Sequence, residues 1–211
     1  MCIRDRVYAA LAAARHPITD GALRHSQYDV LSDWRHDYDG NLLMALPDTY
    51  GTTQFLENAP PEIAMIWKGF RPDSKDAYEA TDELVAYWKR HAQDPKKKIV
   101  LYSDGLDVPV PGYELNGESM IAIHEAVKDR VTDTYGWGTM ATNDFIGCIP
   151  GLPDALKPIS LVCKVHSVNG HPAVKLSDNP AKAASPSKQE IERYLRAFGA
   201  EGIGDERRTR V

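Results

Sequence analysis

"IAMIWKGFRPDSKDAYEATDELVAYWKRH", residues 63–91, is the stretch whose reading decides the fold class. The apolar run 63–69 reads as a buried strand, and the polar residues 70–76 as the loop that ends it. From position 77 the period changes: Ala77, Leu84, Val85 and Trp88 share one face of a helix. Asp76 and Glu79 open that helix, while Lys89, Arg90 and His91 close it, the order that suits the helix dipole. A strand, a polar loop and a long helix make most of a βα unit, which requires a parallel neighbour.

The same unit recurs on both sides. LLMAL (42–46) precedes PDTYGT and the helical TTQFLEN; KIVLY (98–102) precedes SDGLD; RVTDTYG (130–136) precedes WGTMATND. Strands alternating with helices predict a parallel sheet. Polar residues at successive strand C-termini lie where parallel α/β folds place ligands, in barrels and open sheets alike. Upstream, VYAALAAAR (7–15) and SQYDVLSDWRHDY (26–38) read as helices. After residue 150 the pattern turns antiparallel: ISLVCKV (159–165) and PAVKLS (172–177) flank Asn169-Gly170, a hairpin turn signal. Ser187 to Glu190 forms a capping box for a helix carrying Ile191, Tyr194, Leu195 and Phe198, with Gly199 as its stop. A closed βα barrel takes about eight strands and roughly 250 residues. The four βα-type strands here therefore make either a small open sheet or a piece of something larger.

The totals exclude several function classes. With 211 residues, 43% hydrophobic and 26% charged, the chain is long enough to bury a sizeable core. Its formal net charge of -5 offers no basic field for nucleic acid or an acidic membrane. Three cysteines, Cys2, Cys148 and Cys163, are too few and too scattered for a disulfide framework, which predicts reduced thiols and a cytoplasmic location. No apolar run approaches the ~20 residues that span a bilayer. MCIRDR (1–6) lacks the apolar core of a secretory signal and is set apart as a non-native leader.

Each strand-end loop has a plain reading and a chemical one. In FRPDSKD, Asp73, Ser74 or Asp76 can cap the following helix, leaving Arg71 as a surface charge. Equally, a carboxylate at a strand end can hold a ribose diol, and an arginine beside it can fork onto phosphate. In YSDGLD, Asp104-Gly105 is a turn, or a carboxylate beside a backbone that a ligand can approach closely. In GWGT, Gly136, Gly138 and Thr139 offer unobstructed N–H groups and a hydroxyl to a phosphate. PDTYGT adds Asp48 and Thr49. Four such loops in succession predict a shared sugar-phosphate site. Cys163, His166 and His171 have a metal-like spacing, but 163 and 166 point to opposite faces of a strand, so no metal site is expected. His124 is expected to face solvent.

Together, "LPDTYGTTQFL", "GFRPDS", "YSDGLD", "GWGTMATND" and "AVKLSDNPAK", in that order, resemble nicotinate phosphoribosyltransferase over roughly residues 24–200. The resemblance implies a partial irregular (β/α) barrel of the type II phosphoribosyltransferase kind. Residues 7–150 would belong to the barrel, 151–200 would return to a second α/β domain as antiparallel β plus a helix, and 201–211 would be a flexible tail. It implies that nicotinate and phosphoribosyl pyrophosphate give nicotinate mononucleotide and pyrophosphate, with coupled ATP hydrolysis and Mg²⁺, in NAD biosynthesis. No prosthetic group is implied. By the same resemblance Arg71 lies near the ribosyl and pyridine groups, Asp73 on the ribose hydroxyls with Ser74 beside it, and Asp104-Gly105 near the ribose and 5′-phosphate. Gly136, Gly138 and Thr139 would form a phosphate-binding turn, and Asp48 and Thr49 would face the nucleotide or pyrophosphate region.

The chain departs from the family pattern in three places. Lys75 stands where the family commonly has glycine, and its side chain is expected to contact phosphate or point to solvent. VPVPGYELNGESM (108–120) is longer than the family's connection. The family's phosphorylated histidine is expected upstream of Val7, where MCIRDR stands, so the chain reads as the C-terminal part of the enzyme and no catalytic residue is assigned within it. A homodimer is expected of the full-length enzyme. Two alternatives stay open: a transferase for nicotinamide or another pyridine, and a non-catalytic fragment that only self-associates.

Overall fold

The computed structural model describes residues 5–103, 106, 120–138, 145–152, 156, 163–179 and 182–199. Two helices, α1 (Asp5–Arg15) and α2 (Asp20–Asp37), open the chain. α1 begins two residues inside the segment set apart as a leader. α2 starts six residues before the apolar pattern does, because Thr19 caps it by accepting from the Ala22 N–H and Asp20 sits in its first turn.

Four short parallel strands follow: β1 (Met44–Ala45), β2 (Gly69–Phe70), β3 (Ile99–Tyr102) and β4 (Thr132–Tyr135). They lie in the order β1-β2-β3-β4, in register Met44↔Gly69, Gly69↔Ile99 and Ile99↔Thr132. Between them run α3 (Thr52–Asn58), α4 (Pro61–Ile66), α5 (Ala77–Arg90) and α6 (Met120–Val127). Sequential order means that each crossover steps one strand in the same direction, so right-handed connections bring the helices to one face. α3 accordingly packs on α5, and α5 on α6. Phe70 and Val100, both fully buried, anchor that face, with Phe70 against Phe55, Tyr87 and Trp88.

One expected strand is mostly helix. Residues 63–66 belong to α4, and only Gly69–Phe70 of β2 pairs. The helix starts at Pro61, whose fixed φ and missing N–H suit a first helical position. Four apolar residues in a row carry no period that separates a buried strand from a buried helical turn. Gly69 is required where it stands, since a Cβ there would lie 1.9 Å from the Ile99 carbonyl oxygen.

The C-terminal segment differs from expectation in extent, not in its turn. Asn169 and Gly170 take φ values of 53° and 81°, as a two-residue hairpin turn requires. The paired strands shrink to β5 (Ser167–Val168) and β6 (His171–Pro172). Residues 163–166 are not strand, and 159–162 lie outside the described residues. The backbone of 174–177 is used elsewhere: Leu176 and Ser177 both donate to the Thr49 carbonyl. α7 (Lys188–Phe198) begins as expected, with Ser187 Oγ accepting from the Glu190 N–H, and Gly199 ends it at a φ of 79°. Its apolar face meets α2 and stacks Phe198 on Tyr50 at 4.3 Å. Val174, Leu176, Tyr194 and Phe198 join the same hydrophobic cluster as Phe70 and Val100. Among the described residues no helix is long and apolar enough to cross a membrane.

Candidate functional site

The loops after β1, β2, β3 and β4 all leave the sheet at one end, the carboxyl end of its strands. The loop after β2 shows why the sequence alone could not assign its polar residues. Asp76 is the cap of α5, accepting from the Tyr78 and Glu79 N–H groups at 3.0 Å each. Asp73 and Ser74 are thereby released from capping. Arg71 donates from Nη2 to Asp73 Oδ1 at 2.7 Å and from Nε to Ser103 Oγ at 2.7 Å. Ser103 in turn donates to Asp73 Oδ1 at 3.0 Å. Arg71, Asp73 and Ser103 thus form one triangle across the ends of β2 and β3, with Arg71 and Asp73 still partly open to solvent.

A second, dry cluster lies behind it. Asp48 and Thr49, after β1, are buried. Ser74 Oγ donates to Asp48 Oδ2 at 2.8 Å, and Lys175 Nζ lies 3.7 Å from the same oxygen. Asp48 Oδ1 and Thr49 Oγ1 have no hydrogen-bond partner among the described residues. Burial pushes the Asp48 carboxyl up to about 7; Lys175 and the Ser74 bond oppose this, while nearby Asp178 and Asp73 add to it.

Lys75 does not point to solvent. Its ammonium is turned inward, only 8% exposed, onto Glu83 Oε1 at 2.7 Å and Thr53 Oγ1 at 2.9 Å. It therefore ties the β2 loop to α3 and α5.

The remaining loops are described in part. Gly136 donates to the Tyr102 carbonyl at 2.8 Å, and a Cβ on it would sit 3.2 Å from Ser103 Cβ, so Gly136 borders the Arg71 triangle. Gly138 has open space where a side chain would be. Asp104, Gly105 and Thr139 lie outside the described residues. Of the ten residues expected at the site, Asp48, Ser74, Arg71, Asp73 and Gly136 lie after β1, β2 and β4 at the carboxyl end of the sheet, with Thr49 next to Asp48.

Sequence reasoning counted AVKLSDNPAK among the family motifs but assigned none of its residues to the site, and this segment completes the dry cluster. Ser177 Oγ lies 2.7 Å from Ser74 Oγ, and Asp178 accepts from Thr52 N–H at 2.7 Å and Thr52 Oγ1 at 2.6 Å. Gly51 provides no side-chain cap for α3, and Asp178 supplies the carboxylate from 126 residues away. The available signal was the polar Ser-Asp-Asn at 177–179, which breaks off the apolar alternation of 173–176.

The histidines stay apart from this site. His124, expected to face solvent, is half exposed and pairs with Asp133 at 2.8 Å. His16 stacks on His171 with centroids 3.8 Å apart. No group of three His, Cys, Asp or Glu among the described residues could hold a metal ion.

A partly exposed arginine–carboxylate pair backed by a buried carboxylic acid suits a polar, anionic ligand carrying hydroxyl groups. Comparison with solved structures places this geometry in context. The chain is similar to a nicotinate phosphoribosyltransferase from Porphyromonas gingivalis, with 25% identity and a TM-score of 0.75 over 94% of this chain and 47% of that one. It is similar to another from Vibrio cholerae, with 26% identity and a TM-score of 0.80 over 94% of this chain and 43% of that one. The chain thus spans less than half the length of these structures. The model of the nicotinate phosphoribosyltransferase (NAPRTase) family matches residues 8–201. With that match covering nearly all of the chain and the Arg71–Asp73–Ser103 triangle at its strand ends, the protein belongs to the nicotinate phosphoribosyltransferase family.

Proposed function

We propose that this chain carries the phosphoribosyl-binding half of an enzyme that joins nicotinate to phosphoribosyl pyrophosphate, yielding nicotinate mononucleotide and pyrophosphate for NAD biosynthesis. The observation that carries this reading is the Arg71–Asp73–Ser103 triangle at the carboxyl ends of β2 and β3, in a chain of this family. Asp73 accepts from the ribose hydroxyls through the lone pairs that Arg71 and Ser103 leave open. Arg71 orients that carboxylate and sets a guanidinium, which suits a phosphate or the flat face of a pyridine ring, at the strand end. Departure of pyrophosphate leaves oxocarbenium-like charge on the ribosyl carbon, and a fixed carboxylate beside the diol stabilises it without reorganising. Asp48 and Thr49 face the nucleotide or pyrophosphate region. Gly136, Gly138 and Thr139 form the phosphate turn, and Asp104-Gly105 adjoins the ribose and 5′-phosphate.

The sequential parallel order supports reading 7–150 as part of an irregular βα barrel, and the hairpin after it supports the return of 151–200 to a second domain. The family also implies ATP and magnesium. Magnesium is commonly held by one or two carboxylates plus substrate phosphates. Asp73 is engaged with Arg71 and Ser103, and the described residues form no cluster of three ligating side chains. They do not make a resident magnesium site, so the ion is assigned to the diphosphate it accompanies. ATP coupling rests on a histidine expected upstream of Val7, and no described residue is assigned to it. A cytoplasmic homodimer completes the proposal for the full-length enzyme.

The test is thermal unfolding of the 211-residue chain with and without magnesium phosphoribosyl pyrophosphate. The donor should raise the midpoint, and Asp73→Ala should abolish the rise while leaving the ligand-free midpoint within a few degrees. An equal rise in wild type and Asp73→Ala would refute the assignment.

A further inference from the structure

Ser177 is the only serine among the described residues at positive φ, at 73°, and it is fully buried. A non-glycine residue held there costs on the order of 1–3 kcal/mol and persists only where its surroundings over-determine it. Its N–H is committed to the Thr49 carbonyl at 3.1 Å and its hydroxyl to Ser74 Oγ at 2.7 Å. The direction of the second bond follows from counting protons. Ser74 has one hydroxyl proton and donates it to Asp48 Oδ2. Ser177 must therefore be the donor to Ser74. Two hydroxyls in series point at one carboxylate oxygen, each polarising the next. Lys175 Nζ approaches that same oxygen at 3.7 Å. The Ser74 hydrogen bond and the Lys175 ion pair thus both fall on Oδ2, and Oδ1 is left buried without a partner among the described residues.

We propose that Lys175 and Ser177 are positioning residues of the strand-end site, Lys175 acting directly on Asp48 and Ser177 acting through Ser74, so that together they fix the Asp48 carboxyl with Oδ2 engaged and Oδ1 as its uncommitted oxygen. The role of the site rests on the phosphoribosyl reading above; the positioning itself does not. The charged groups near Asp48 are Lys175 and Asp178 on the C-terminal segment and Asp73 on the β2 loop. Because Oδ2 receives the donors, a proton on Asp48 resides on Oδ1. The acid form offers an O–H to an anionic oxygen, and the ionised form offers an acceptor to a hydroxyl.

The test follows the Asp48 carboxyl by carbon NMR across pH in the full chain, alongside stabilisation by magnesium phosphoribosyl pyrophosphate. Lys175→Met should move the Asp48 titration upward by about one unit or more, the usual effect of losing an adjacent cation. Lys175→Arg should restore most of it. Ser177→Gly suits the left-handed backbone and keeps the fold while deleting the hydroxyl. It should give a smaller upward shift and a weaker response to the donor. A titration unmoved in both Lys175→Met and Ser177→Gly overturns the proposal. Shifts that appear in a wild-type chain unresponsive to the donor support the positioning and overturn the phosphoribosyl reading instead.

Discussion

Lys98 and Asp48 are both buried ionisable side chains, and they sit at opposite ends of the same parallel sheet. Lys98 enters β3 at the amino end, and its ammonium donates to the carbonyls of Ala64, Met65 and Trp67 at 2.6, 3.3 and 3.0 Å. Three donors meet three acceptors, which closes the exposed carbonyl end of α4. Asp48 leaves β1 at the carboxyl end with one oxygen served and the other without a described partner. Burial moves each toward its neutral form, lowering Lys98 and raising Asp48. The difference teaches where function can lie. A buried charge with every bond made is part of the scaffold, whereas one with a bond left over holds interaction energy that a ligand can collect.

Removing the scaffold charge should have the largest effect. Lys98→Met strands three carbonyls and should cost about 3 kcal/mol in chemical unfolding, with donor-induced stabilisation retained. Donor binding lost along with stability would break the contrast.

Asp48→Asn should behave oppositely. The folded carboxyl titrates near 7, above its ordinary 3.8, so between those values the folded state binds the proton more tightly than the unfolded chain does. Its contribution to stability is therefore greatest at acid pH and is lost as pH rises through about 7. Asp48→Asn removes that slope and should be the more stable protein at pH 8, by on the order of 2 kcal/mol. It should nevertheless lose the response to phosphoribosyl pyrophosphate. Isothermal unfolding from pH 5 to pH 8 reads this directly; a variant less stable than wild type at pH 8 would place Asp48 with Lys98 as scaffold.

The smallest effect is expected at Lys75. This lysine resembles Lys98 in being inward and paired, yet it lies in the site loop. Lys75→Gly should cost about 1 kcal/mol through the loss of Glu83 and Thr53 contacts. It should leave the donor response in place. A lost response would show that the Lys75–Glu83 pair also shapes the site.

The legible parts of the chain were those with local causes. α5 shows its apolar face at 77–88 and its charge order at both ends, and the hairpin shows in Asn169-Gly170. The strand ends were legible because each combines an apolar run with Asp, Gly, Ser or Thr. Residues 63–66 were misread because a short apolar run carries no distinguishing period, and only Pro61 hinted at helix. The inward turn of Lys75 was not legible because nothing local announces that Glu83 and Thr53 will stand within reach.

By itself the sequence determined the parallel α/β class, the family and the loops that bear polar groups, since periodicity, turn residues and motif order are properties of neighbours along the chain. Only the tertiary structure decided which of those groups meet. Asp76 takes the helix cap, Asp73 joins Arg71 and Ser103, Asp48 joins Ser74, and Lys175 and Ser177 reach that pair from more than a hundred residues away. The physical reason is that a buried polar atom must take the partner that packing brings to it, and packing brought the loops after β1 and β2 together with residues 175–178 at one end of the sheet.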